Sequence, residues 1–200
     1  MTKNIIALPL PKKDGSLSIE KALSIRKTVR KYSSQPLSLD DIGQIMWSAQ
    51  GITHRIFRTA PSAGALYPLE MYVAGLISEN QKGIFYYNVK KHALEECFNQ
   101  DCRNQLSEAA YNQPWVKNAP VVVVITAMYD RVMKKYGKNG VQYTHFEVGH
   151  AAQNIHLQLE SLKLGTVCVA GFDEKKVKEI LQLTEESPQY LMPIGYPADR

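Results

Sequence analysis

Four cations and one hydroxyl fall within six residues of this chain: Arg26, Lys27, Thr28, Arg30 and Lys31. Arginine offers a planar fork for phosphate oxygens and threonine adds a hydroxyl donor, so the segment could bind an anion. Arg30 lies one helical turn from Arg26 if the preceding helix continues. The alternative is a solvated helix end whose cations complement the negative end of the macrodipole. A second segment, Thr59-Ala-Pro-Ser-Ala-Gly-Ala-Leu-Tyr-Pro68, is small and apolar. Small residues let backbone approach a flat ligand closely, although an ordinary helix-to-strand loop has the same composition. A third, Val169-Ala-Gly-Phe-Asp173, reads as a strand end feeding a helix N-terminus, where free N–H groups point outward.

The elements that must position these segments are legible from periodicity. Ser18 caps a helix carrying Ile19, Ala22 and Leu23, and Ser38-Leu-Asp-Asp41 resembles a capping box ahead of Ile42, Ile45, Met46 and Ala49, with Gly51 ending that helix. Leu69 to Ile77 and Gly83 to Asn88 predict an antiparallel hairpin. The β-branched run Val121 to Ala127 predicts a strand buried on both faces. A polar segment around Lys134 to Gly137 precedes the longest helix, Phe146 to Leu164, closed by Gly165. A short strand from Thr166 to Ala170, a helix capped by Asp173 and running to Leu181, and a strand from Tyr190 to Ile194 complete the chain. The hairpin breaks a purely alternating order, which points to an α+β sandwich. Residues 1–17 read as a loosely held N-terminal arm and residues 18–200 as a single domain.

Several chemistries lose support. The 200 residues carry a net charge of +5, too small an excess to argue for nucleic acid. No apolar run approaches the roughly 20 residues of a membrane helix, and the cytoplasm is the expected location. Cys97, Cys102 and Cys168 form no C-x-x-C pair and read as reduced structural thiols. Glu147-x-x-His150 is a single metal-like fragment, whereas a di-iron bundle needs two and further carboxylates, so no metal is expected. The chain also lacks G-x-G-x-x-G, a Walker loop and G-x-S-x-G.

Taken together, the three segments resemble the nitroreductase-like flavoproteins, and most closely the SagB-type dehydrogenases found beside thiazole- and oxazole-forming enzymes. The resemblance runs from about Ser18 to Pro197. Its carriers are Arg26-Lys-Thr-Val-Arg-Lys-Tyr32, Pro36-Leu-Ser-Leu39, Trp47-Ser-Ala-Gln-Gly-Ile-Thr53, Arg58 through Pro68, Lys135-Tyr-Gly137 and Glu147-Val-Gly-His-Ala-Ala-Gln-Asn154. It implies an α+β fold with a central, mostly antiparallel sheet flanked by helices. It also implies noncovalent FMN held between the subunits of an intertwined homodimer.

Residue by residue, Arg26 and Thr28 resemble the phosphate-binding pair, with Lys27 at the intervening backbone position, and Arg30 resembles the cation near the N1/O2 edge of the flavin. Pro61, Ser62 and Ala63 resemble the loop that packs on the ring from the other subunit. Ala170 and Gly171 match the backbone pair facing N5 and O4, Gln113 is placed at the pyrimidine edge, and Arg200 is the candidate for a C-terminal cation over the phosphate. Lys135 and Tyr136 resemble a Lys-Tyr pair proposed to act in azoline dehydrogenation. Tyrosine is a poor base at its reference pKa of about 10 and needs a nearby cation, which Lys135 could supply, although helix neighbours do not face each other. The expected activity is an FMN-dependent oxidoreductase passing hydride through flavin N5. NAD(P)H or an organic substrate would donate, and a nitroaromatic, quinone or azoline-type compound would accept. The competing reading is a redox-inactive FMN- or phosphate-binding protein. A helix face with Gly149, Ala152 and Gln153 is the expected dimer contact.

Overall fold

The computed structural model describes residues 4–78 and 81–198. A seven-stranded sheet is assembled from β1 (Ile5–Ala7), β2 (Leu69–Ser78), β3 (Gln81–Asn88), β4 (Ala93–Phe98), β5 (Val121–Ala127), β6 (Gly165–Thr166) and β7 (Ser187–Gly195), in the order β1-β4-β3-β2-β5-β7-β6. Every ladder in it is antiparallel. The helices are α1 (Ile19–Ile25), α2 (Leu39–Gln50), α3 (Arg103–Ala109), α4 (Pro114–Asn118), α5 (Tyr129–Tyr136), α6 (Asn139–Ser161) and α7 (Glu174–Leu181).

Strand periodicity decides which helices lie on which face. Leu69, Met71 and Val73 of β2, with Val121, Val123 and Ile125 of β5, turn to one side and pack against Ile42, Ile45 and Met46 of α2 and Val148, Ala151 and Ile155 of α6. The intervening Tyr72, Ala74, Val122 and Val124 turn to the other and meet Leu106 of α3, Val116 of α4 and Val177 and Leu181 of α7. The result is helix, sheet, helix, with β5 wholly buried between β2 and β7 as its β-branched run requires. The α+β sandwich and its antiparallel sheet are those the sequence predicts.

Local signals set most helix starts. Ser18 accepts from Lys21 N–H, Ser38 and Asp41 form a reciprocal capping box, and Asp173 accepts from Lys175 and Lys176. Five expectations are corrected. The long helix begins at Asn139 rather than Phe146 and ends at Ser161, so Leu162 and not Gly165 closes it. The polar segment at 134–137 is the end of α5, with Gly137 as its cap at φ 56°. The strand predicted over 166–170 shrinks to Gly165–Thr166 plus an isolated bridge between Val169 and Leu191, and the last strand starts earlier, at Ser187. Finally, the segment read as a loose arm contributes β1, paired with β4.

The cationic segment does not continue α1. The helix stops at Ile25, Arg26 caps it, and the chain then runs extended: Thr28 bridges Thr166 in parallel and Val29 N–H donates to Thr166 C=O at 2.9 Å. Arg26 and Arg30 are therefore not one helical turn apart. Within this segment Val29 is buried, whereas Lys27, Thr28 and Arg30 are exposed. This docking needs Gly165, because a Cβ there would lie 2.6 Å from Val29 Cβ. Gly165→Ala should lower stability by about 1–3 kcal/mol through this overlap, read from urea unfolding, whereas Gly15→Ala, in open space, should leave it unchanged.

Candidate active site

The predicted site residues assemble into two groups. The first contains Arg26, Lys27, Thr28, Arg30, Gln113, Ala170 and Gly171. Arg30 Cζ lies 5.3 Å from the ring centroid of Trp115, a cation–π contact that joins the cationic segment to α4. At the cap of that helix, Gln113 Nε2 donates to Gly171 C=O at 3.1 Å, while Asp173 N–H donates to Ala109 C=O at 2.8 Å, fixing the 170–173 turn against α3 and α4. Three segments far apart in sequence thus meet at one place.

Behind Arg26 sit the buried His156 and the half-buried Cys168, with Nε2 and Sγ 3.5 Å apart. Burial, reinforced by the Arg26 charge, pushes His156 down to about 4, so it is neutral at pH 7. Burial pushes the Cys168 thiol up to about 11, against the pull of Arg26, which keeps it protonated at pH 7.

The second group contains Pro61, Ser62, Ala63, Lys135 and Tyr136. The loop they share is strained: Gly64, Ala65 and Tyr67 all have positive φ, at 62°, 54° and 48°. A polar network holds it. Ser62 Oγ accepts from Tyr67 N–H at 2.9 Å, and Arg131 Nη1 donates to Tyr67 C=O at 3.0 Å. The Arg58 guanidinium lies 4.4 Å from the Tyr67 ring centroid and donates to Gln50 Oε1 at 2.7 Å. Arg131 pairs with Glu70, which also accepts from Tyr86 Oη at 2.7 Å. Burial lowers the Arg58 pKa, opposed chiefly by the charges of Glu70 and Glu147.

Lys135 and Tyr136 reach this loop together. A Cβ at Gly64 would stand 2.7 Å from Tyr136 Oη and 2.9 Å from Lys135 Nζ, and Lys135 Nζ is 5.3 Å from the Tyr136 ring centroid. Neighbours in a helix normally diverge; here Tyr136 is the last helical residue, ahead of the left-handed Gly137, and its ring packs edge-on against Tyr143 at 5.3 Å. Arg200 lies outside the described residues.

The residues that reasoning from sequence missed are mostly supports: Trp115, Arg58, Gln50, Glu70, Arg131 and Glu147. Arg58 and Glu147 lie inside stretches that carry the family resemblance, and Trp115 is two residues from Gln113. Their roles depend on contacts between distant segments, which spacing does not reveal. Among the described residues no cluster of three or more His, Cys, Asp or Glu could hold a metal, and no helix is long and apolar enough to cross a membrane.

The first group fits a phosphate-bearing, flat cofactor. Its donors are two guanidinium groups, an ammonium and a hydroxyl, and a Cβ added at Gly171 would meet only Gln113 Nε2 at 4.0 Å, so protein packing does not fill the space over that turn. The indole Nε1 of Trp115 is buried there without a hydrogen-bond partner.

An antiparallel sandwich with a cationic segment beside an unfilled turn has the donors to hold a phosphate-bearing ligand. The chain belongs to the nitroreductase family, whose profile matches residues 23–196, and it is an oxidoreductase of that family. It is 40% identical over 181 residues to the nitroreductase MJ1384 of Methanocaldococcus jannaschii, covering 90% of this chain and 91% of that protein. A nitroreductase structure from Ralstonia eutropha JMP134 superposes with a TM-score of 0.85 at 27% identity, covering 98% of this chain and 90% of the other. More distant are the FMN reductase [NAD(P)H] of Bacillus subtilis, at 25% identity over 90% of this chain and 66% of its own, and the microcin B17-processing protein McbC of Escherichia coli, at 26% over 82% and 58%.

The neutral His156 yields a stability prediction. Its folded pKa, about 4, lies below the unfolded value of 6.5, so the unfolded chain takes up the proton first and stability is lost as pH falls from 6.5 toward 4. Between pH 7 and pH 5 this contribution is about 2 kcal/mol. Urea unfolding at the two pH values should show that much less acid sensitivity in His156→Gln than in the parent.

Proposed function

We propose that this chain is an FMN-dependent oxidoreductase whose site is completed by a second copy of itself. The observation that carries the reading is the convergence of Arg30 on Trp115 and of Gln113 on Gly171, which places the cationic segment beside an unfilled turn. FMN, when bound, supplies two-electron chemistry, accepting or giving hydride at N5. Arg26 and Thr28 bind the phosphate, with Lys27 between them. Arg30, oriented by Trp115, presents a fixed positive charge to the N1/O2 edge, where negative charge develops on reduction. The backbone of Ala170 and Gly171 lines the N5/O4 edge, and Gln113 the pyrimidine edge.

The loop at Pro61, Ser62 and Ala63 belongs to the second group and is read as covering the partner's ring. The exposed face of α6 supports a homodimer. Phe146, Gly149, His150 and Gln153 form a stripe at helical spacing, Phe146 is 54% exposed, and a Cβ added at Gly149 would meet nothing within 4 Å. Ala152, expected on that face, lies instead in the core at 3% exposure.

Small-molecule redox partners are the substrates on this reading, with NAD(P)H as candidate donor and nitroaromatics, quinones or azolines as acceptors or substrates; nucleic acid and membrane are not partners, and the cytoplasm is the location. Lys135 and Tyr136 serve proton transfer: they stand together at Gly64, where Tyr136 Oη would take up a proton released from a substrate carbon during dehydrogenation.

Purified protein should absorb near ~450 nm and bleach on anaerobic reduction by a nicotinamide or organic donor. A colourless protein that takes up no added FMN overturns the proposal, and one that binds FMN without turnover by any donor supports the redox-inactive alternative. Arg26→Ala should weaken FMN retention by roughly tenfold or more, the loss of a charge-assisted hydrogen bond. Light scattering should give twice the mass of one chain. Tyr136→Phe should keep FMN binding and quinone reduction while slowing dehydrogenation by about 10²-fold; an unchanged rate would make Tyr136 structural.

A further inference from the structure

One side of α5 is tied to the strained loop along its whole length. Met128 N–H, at the cap of the helix, donates to Pro68 C=O at 2.9 Å. Further along, Arg131 Nη1 donates to Tyr67 C=O at 3.0 Å. At the far end the Lys135 ammonium and the Tyr136 hydroxyl reach Gly64 together, 2.9 and 2.7 Å from the position a Cβ would take there. Residue numbers rise along the helix and fall along the loop, so the two segments run antiparallel and the contacts share one register. Positions four apart lie on the same helix face, which is why Arg131 and Lys135 both turn to the loop.

The middle tie is made by a guanidinium, and it also reaches the sheet. Arg131 pairs with Glu70, the second residue of β2, which accepts from Tyr86 Oη at 2.7 Å through its other carboxylate oxygen. The Glu70 backbone is fixed in turn by its pairing with Thr126 of β5, whose Oγ1 donates to Glu70 C=O at 3.2 Å. Tyr67 is held on both sides as well. Its N–H donates to Ser62 Oγ at 2.9 Å, its C=O accepts from Arg131, and its φ of 48° is one that a non-glycine residue keeps only under such constraint. One side chain therefore joins helix, loop and sheet. Its pairing with Glu70 also neutralises a cation that stands one turn from the Lys135 ammonium.

We infer that Arg131 is a positioning residue: its planar fork, with one arm on Tyr67 C=O and the other on Glu70, sets the spacing at which Lys135 and Tyr136 meet the loop at Gly64. The spacing is a property of the protein alone, whereas its consequence for proton transfer rests on the function proposed above. Lysine at this position would keep a charge for Glu70 but lacks the rigid fork that serves both acceptors in one plane.

Proton NMR of the purified protein tests the spacing. The parent should show a nuclear Overhauser cross-peak between Gly64 Hα and the Tyr136 ring, and Arg131→Lys should lose it. Lys134→Gln, which removes the neighbouring exposed charge of α5, should keep it. In FMN-loaded protein, dehydrogenation of a phenylthiazoline ester should slow in Arg131→Lys by about tenfold or more relative to reoxidation of the photoreduced protein by benzoquinone, since a displacement of about 1 Å is enough for that loss. Should Arg131→Lys fold poorly, Glu70→Gln, which frees the other arm of the fork, should lose the same cross-peak. A cross-peak missing from the parent, or one that persists in the folded variant, overturns the inference. Its loss with an unchanged rate ratio supports the spacing and overturns the proton-transfer role. Its loss in a protein that takes up no FMN supports the spacing and overturns the cofactor reading alone.

Discussion

The structure depends on β5 having no exposed residue. A strand buried along its whole length must be hydrogen-bonded on both edges and covered on both faces, since unpaired backbone polar groups in that position would be costly. β2 and β7 satisfy the edges, and the alternation of Val121, Val123 and Ile125 against Val122 and Val124 recruits α2 and α6 to one side and α3, α4 and α7 to the other. The two half-sites follow from this division. The cationic segment docks beside β6 at the edge of the sheet, while the Pro61 loop enters the sheet directly through β2 and rests on α5 and α6.

The two half-sites are also stabilised differently. Around Arg30, order comes from a cation over an indole and from backbone hydrogen bonds between turns, so the donors remain free to meet a ligand. Around Ser62, a backbone that enters positive φ at Gly64, Ala65 and Tyr67 is held by a network running through Gln50, Arg58, Tyr67, Arg131, Glu70 and Tyr86. Strain of this kind persists only where surrounding contacts over-determine the conformation. Arg131 and Glu70 within it are paired and partly buried, which makes either of them costly to remove singly.

Much of the fold was legible where the determining interaction is local. The caps at Ser18, Ser38 and Asp173 act on backbone groups two or three residues away, and the β-branched run of β5 declares its own burial. Legibility failed where distant contacts decide. α6 starts seven residues before its apolar periodicity becomes evident, and a Cβ at Gly140 would lie 2.8 Å from Met133 N, so close packing on α5 sets its first turn. Charge and helical spacing suggested that Arg26 and Arg30 share a helix, yet the Val29 contact with Thr166 and Gly165 pulls the chain into an extended path. β4, with its mixed Ala-Leu-Glu-Glu-Cys-Phe sequence, carries no clean alternation and is recruited by its neighbours β3 and β1.

The same distinction governs the candidate site. The residues proposed to touch a cofactor are singled out by the family resemblance, because guanidinium, hydroxyl and small-residue segments taken in isolation suit a solvated helix end or an ordinary loop as well. Residues that aim them are not. Trp115 has no chemical signature separating it from a core aromatic until Arg30 is seen over its ring. Lys135 and Tyr136 show the limit from the other side: adjacency on a helix argues against convergence, and only the helix end at Gly137, with Tyr143 packed edge-on, turns both toward Gly64. A substitution that extended α5 past Gly137 would separate the ammonium from the phenol without altering either group. The geometry of that helix end, more than the identity of the pair, therefore decides whether the two can act together.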